Sequence, residues 1–131
     1  MKIMILEFNS DPAELKNVRQ KVEDFCRDNL IKGNILNIKL AIDEAVQNII
    51  RYAYKFDKTK KIIIKLEKIS EDSFKAEIRD YGERVQIDQI KSRALDDIKP
   101  GGLGVHFIKS ISKEMTYEHK DEAGTLLTLV F

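Results

Sequence analysis

Glu44 and Asn48 stand four residues apart in Ala41-Ile42-Asp43-Glu44-Ala45-Val46-Gln47-Asn48, so on a helix their side chains point the same way, beside an apolar stripe. A carboxylate there can act as a base and an amide oxygen can hold a hard cation, though a solvated helix face carries the same residue types. Asp80 ends a segment in which Phe74, Ala76 and Ile78 alternate with charged residues, which puts its carboxylate on the apolar face of a strand, where it needs a donor. Gly82 follows it, a residue suited to a turn or to close approach of a ligand; capping that turn is the competing role for Asp80. Gly101-Gly102-Leu103-Gly104 opens another helical pattern. Free amides at a helix N-terminus attract anions and glycines let phosphate approach, while a flexible connection would use the same residues. Gly124-Thr125 reads alone as a hairpin turn followed by a strand former. The cluster matches neither the dinucleotide-binding glycine fingerprint nor the P-loop with its lysine.

The elements that must position these groups follow from periodicity. Residues 2–8 are short, apolar and rich in strand formers. Asp11-Pro12-Ala13-Glu14 supplies a cap, a first-turn proline and a carboxylate for a helix carrying Leu15, Val18, Val22, Phe25 and Cys26 to about Leu30. Lys32-Gly33-Asn34 interrupts it, and a second helix has Ile38, Ile42, Ala45, Ile49 and Ala53 as its apolar stripe. Residues 61–69 and 74–80 read as paired strands, 83–100 as a long mixed connection, and 115–120 and 125–131 as a closing hairpin after the glycine-led helix. Strands grouped apart from helices predict an α+β two-layer sandwich, with helices on one face of a mixed, mostly antiparallel sheet.

The chain has 131 residues, 43% hydrophobic and 34% charged, which suits one domain over 1–131 with a buried core. Lysine and arginine total 23 against 22 acidic residues, a net charge of +1, so no global field favours nucleic acid. Cys26 is the single cysteine and only His106 and His119 stand beside it, which excludes an internal disulfide and a zinc-ligand pattern. No apolar run approaches a membrane span and no signal-peptide pattern opens the chain, so a cytoplasmic protein is expected.

Taken in order, these features resemble the ATP site of the GHKL superfamily, the Bergerat fold of gyrase-type ATPases, Hsp90, histidine kinases and MutL. Within it the chain is most similar to the small bacterial anti-sigma-factor serine kinases. Residues 41–48, continuing to Tyr52-Ala53-Tyr54, resemble the N-box, Asp80-Tyr81-Gly82 the G1 box, residues 100–108 the G2 box, and Gly124-Thr125-Leu126 the terminal Gly-Thr element.

The resemblance implies a role for each position. Asn48 would hold Mg2+ against the phosphates of ATP, and Glu44 would be the base that takes the proton of an attacking hydroxyl. Asp80 would accept from the adenine amino group, with Thr125 assisting through water. Gly82 belongs to the same box, and Gly101, Gly102 and Gly104 would present backbone to phosphate, with 83–100 as the lid. One departure stands out: Arg84 occupies the place of the second glycine in the G1 box. The implied function is an ATP- and Mg2+-dependent serine/threonine kinase and anti-sigma regulator, phosphorylating a small STAS-domain antagonist and engaging a sigma factor, with a homodimer as the common assembly. The alternative is a non-catalytic ATP-binding module that switches partners, and Arg84 keeps it open. Retention of Glu44 favours the kinase.

Overall fold

The computed structural model describes residues 2–82, 100–120 and 124–131. The expected lid lies outside the described residues apart from Pro100, and Arg84 lies outside with it.

Strand β1 (Ile3–Asn9) turns Phe8 into the core and leaves Ile3 and Ile5 exposed. Asp11 then accepts the Ala13 amide at 3.0 Å, starting a single 3-10 turn, Pro12–Glu14, that leads into α1 (Leu15–Asp28). Helix α1 buries Val18, Val22, Phe25 and Cys26, the stripe expected from spacing. It stops two residues short of the expected Leu30, at the cap residue Asn29, whose backbone amide and side-chain amide both donate to the Phe25 carbonyl, at 3.0 and 2.9 Å. Leu30 then takes a left-handed φ of 57°, and the Ile31 amide closes on the Cys26 carbonyl at 2.9 Å.

Asn34 caps α2 (Ile35–Asn48) by accepting the Asn37 amide at 3.1 Å. The helix widens after Asn48 into a π-helical stretch, Ile49–Ala53, whose end is marked by the Tyr54 amide bonding to the Ile49 carbonyl at 2.9 Å. Ile38, Ile42, Ala45, Ile49 and Ala53 are all buried, as are Ala41, Val46 and Ile50. Two ion pairs tie α1 to α2: Arg19 to Asp43 at 2.6 Å and Lys39 to Glu23 at 2.7 Å.

Strands β2 (Lys61–Ser70) and β3 (Ser73–Asp80) form a hairpin with a register shift between Lys68 and Ser70. Helix α3 (Pro100–Ile111) follows, then β4 (Glu114–His119) and β5 (Thr125–Val130). The sheet order is β1-β2-β3-β5-β4 and every pairing is antiparallel, so the helices cover one face of an α+β sandwich. Ile62, Ile64 and Leu66 of β2 face the helices together with Phe74, Ala76 and Ile78 of β3. Phe74 lies edge-on to Phe25, ring centres 5.3 Å apart, and 5.2 Å from Phe131. The opposite face carries Lys65, Glu67, Lys75 and Glu77 in pairs 3.6–3.9 Å apart, a charge lattice that keeps it wet.

Candidate functional site

Asp80 is placed by strand period and register together. It sits on the inner face of β3 after Phe74, Ala76 and Ile78, pairs with Thr125 of β5, and is only 4% exposed. Its Oδ1 accepts the Gly82 amide at 3.0 Å, so the turn-capping role and the inward role coexist. Burial pushes the Asp80 carboxyl above its usual range, and the Gly82 amide, Arg79 and His119 only partly oppose that shift. A buried carboxylate with oxygen to spare is a site waiting for a donor.

Facing it across a cleft is Asn48, 4% exposed, with both Oδ1 and Nδ2 lacking any hydrogen-bond partner among the described residues. The cleft has about 360 Å3 of empty space including its mouth, and Ala45, Ile49, Ala53, Thr125, Tyr117 and Leu127 complete its lining. Its walls are mostly apolar with a few convergent polar groups, the make-up of a small-molecule site. Thr125, 5% exposed, points its hydroxyl toward His119 Nδ1 at 3.5 Å.

Glu44 lies one helical turn before Asn48 on α2, outside the cleft lining and against α3. Its Oε2 is buried without a partner among the described residues. Burial raises its pKa above the ordinary glutamate value; Arg51 opposes the rise and Asp43 adds to it. Gly104 abuts this carboxylate so closely that a Cβ would stand 2.3 Å from Oε2. The glycine expected to serve phosphate therefore also makes room for Glu44. Gly101 and Gly102 fall in the first turn of α3. Gly82 packs on the π-helical end of α2, where a Cβ would stand 2.4 Å from the Ala53 carbonyl oxygen.

The fold thus gathers Asn48, Asp80 and Thr125 around one cleft and sets Glu44 and Gly104 together one turn away. Sequence reasoning gave no role to three contributors, although Tyr54 lies in the N-box segment. Tyr54 accepts the Tyr81 amide at 2.7 Å and donates to the Lys61 carbonyl at 2.6 Å, clamping the segment that follows Asp80 to the end of α2. Arg51 donates to Gln47 at 3.3 Å and acts electrostatically on Glu44. Tyr117 lines the cleft from β4; the alternation Met115, Tyr117, His119 hinted at an inward face, but only pairing with β5 placed it.

Among the described residues no group of three or more His, Cys, Asp or Glu could hold a metal, and no helix is long and apolar enough to cross a membrane. The orphaned amide of Asn48 does fit a hard cation that a phosphorylated ligand carries with it, because its oxygen is buried, uncommitted and inside the cleft.

Comparison with known proteins agrees with this geometry. The chain is similar to the serine-protein kinase RsbW of Staphylococcus aureus, 32% identical over 110 residues that span 78% of this chain and 69% of that protein. Its fold matches the RsbU and RsbW domains of Rv1364c from Mycobacterium tuberculosis with a TM-score of 0.69 at 17% identity, covering 99% of this chain and 32% of that one. The chain therefore spans about a third of that larger protein. The nucleotide-free catalytic domain of the histidine kinase ThkA matches with a TM-score of 0.60 at 16% identity, over 98% of this chain and 96% of that one. A family model described as histidine kinase-like ATPase domain matches residues 8–131. With that match running from the end of β1 to the last residue, and with Asn48, Asp80 and Thr125 converging on one cleft, the chain belongs to the GHKL family of histidine kinase-like ATPase domains.

Proposed function

We propose that this protein is an ATP- and Mg2+-dependent serine/threonine kinase and anti-sigma regulator of a bacterial, cytoplasmic partner-switching system, acting on a small STAS-domain antagonist. The observation that carries the reading is the orphaned Asn48 amide, buried in a cleft with Asp80 and one turn from an unpartnered Glu44. Similarity to a serine-protein kinase supports the acceptor class.

Asp80 accepts the exocyclic amino group of adenine through the oxygen that Gly82 leaves free. Thr125 borders the same end of the cleft and Asn48 the other polar point of its lining. Asn48 Oδ1 would hold Mg2+, which when bound would neutralise charge along the phosphates. Glu44 takes the proton of the acceptor hydroxyl as that oxygen bonds to the γ-phosphorus and the bond to the β–γ bridging oxygen breaks, releasing ADP. Positioning and charge stabilisation dominate such a transfer, so few protein groups suffice.

Incubation with γ-labelled ATP and a small STAS-domain protein should place label on a serine or threonine of that protein. An ATP-dependent complex without label would make the chain a non-catalytic switch module instead. Asn48→Ala should abolish the difference between ATP titrations with and without Mg2+, since the ion would then keep only phosphate and water oxygens. A wild-type difference in that variant would place the metal elsewhere.

A further inference from the structure

Strand β4 turns Met115 and Tyr117 inward, partly buried, and leaves Glu114, Thr116 and Glu118 exposed. In register, His119 pairs with Thr125 and Thr125 with Asp80, while Tyr117 pairs with Leu127 and Leu127 with Ile78. Asp80 and Tyr117 therefore occupy neighbouring rows of one sheet face, two strands and one two-residue step apart, roughly 12 Å between backbones. A tyrosine ring reaches across much of that gap, and both residues line the same cleft.

The two side chains also sense each other. Burial, with the charge of Asp80 adding to it, pushes the Tyr117 phenol up to about 12, so it stays neutral at every working pH. Asp80 Oδ1 is engaged by the Gly82 amide, which leaves its second oxygen for a ligand. Any donor bound there shares the cleft with the Tyr117 ring. A primary amine directs one hydrogen at Asp80 and carries only a second hydrogen beyond it, whereas a substituent in that position needs the space the ring fills.

We propose that Tyr117 is a specificity-determining residue of the nucleotide site, its ring closing the cleft beyond Asp80 so that only a base with an unsubstituted exocyclic amino group is accepted. This rests on the adenine-nucleotide reading above. A pocket wall of one ring exceeds the single methylene that is worth about 10- to 200-fold in discrimination, so a large effect is expected.

The test measures, by calorimetry on the whole chain, binding of ADP and of N6-benzyl-ADP to wild type, Tyr117→Leu and Tyr117→Ala, with a thermal melt of each to establish folding. Wild type should bind ADP and reject the benzyl analogue. Either folded variant should narrow that preference by at least about tenfold, chiefly by gaining the analogue. Tyr117→Leu keeps an apolar filler over Leu127 and so guards against failure of the alanine variant to fold. An unchanged preference in a folded variant overturns the inference. Loss of ADP and analogue together overturns it too, since Tyr117 would then hold the base and not gate its substituent. Failure of wild type to bind ADP would instead defeat the adenine-nucleotide reading itself.

Discussion

Asp80→Asn should bind ADP roughly 10- to 150-fold more weakly than wild type, the equivalent of about 1.5–3 kcal/mol for a hydrogen bond to a charged group. Asparagine keeps the size and can still accept from the Gly82 amide, so the loss isolates the charge that receives the adenine amino group. The same substitution should raise the thermal stability of the ligand-free protein at pH 7. Burial raises the folded-state pKa of Asp80 above its ordinary value of 3.8. For a carboxyl shifted in that direction, its contribution to stability is fully present below the ordinary value and is lost as pH rises through the folded-state value. At pH 7 the wild type therefore carries a buried charge that asparagine removes, and the gap in melting temperature should close as pH falls toward 3.8. Melts at the two pH values, paired with calorimetry, check both signs. Unchanged ADP affinity would remove Asp80 from the site, and a less stable variant at pH 7 would mean that its charge is satisfied in the fold. Opposite effects on stability and binding are what a functional residue placed against the preference of the core should give.

Glu44→Gln should retain nucleotide and partner binding and lose about 10²–10⁴-fold in phosphoryl transfer, the usual cost of removing a general base. Glutamine preserves the side chain's length and its packing under Gly104 while giving up the proton acceptor. The wild-type rate should also rise with pH along a limb displaced above the ordinary glutamate value, because the base must be ionised and burial resists ionisation. Single-turnover transfer of label across pH measures both effects. A variant as fast as wild type would reduce Glu44 to a structural residue, and a limb that survives in the variant would assign the titration to another group.

Much of this was legible along the chain wherever a single period governs. The alternation of Phe74, Ala76 and Ile78 was enough to turn Asp80 inward, since a strand gives its side chains only two directions. The four-residue spacing of Glu44 and Asn48 placed both on one helix face for the same reason. Helix α1 ended early because Leu30 turns left-handed and the Ile31 amide closes on the Cys26 carbonyl, a local closing turn that the hydrophobic pattern does not encode. The π-helical end of α2 packs on Gly82, 29 positions after Ala53, a contact that no local period encodes.

From its own residues the chain determined the strands and helices, the inward aim of Asp80, the shared face of Glu44 and Asn48, and the ordered boxes that carry the family resemblance. Each of these depends on neighbours within a few positions, where backbone geometry alone decides which way a side chain points. Only the tertiary structure decided what lies opposite those side chains. Pairing of β3 with β5, and of β5 with β4, brought Thr125 and Tyr117 to the cleft. The packing of α3 on α2 left Glu44 Oε2 under Gly104 without a partner. Tyr54, bonding to Tyr81 on one side and Lys61 on the other, locked the end of β3 to α2. Periodicity names a buried face, but the partner of that face is chosen by shape and burial across the whole fold, which no local spacing contains.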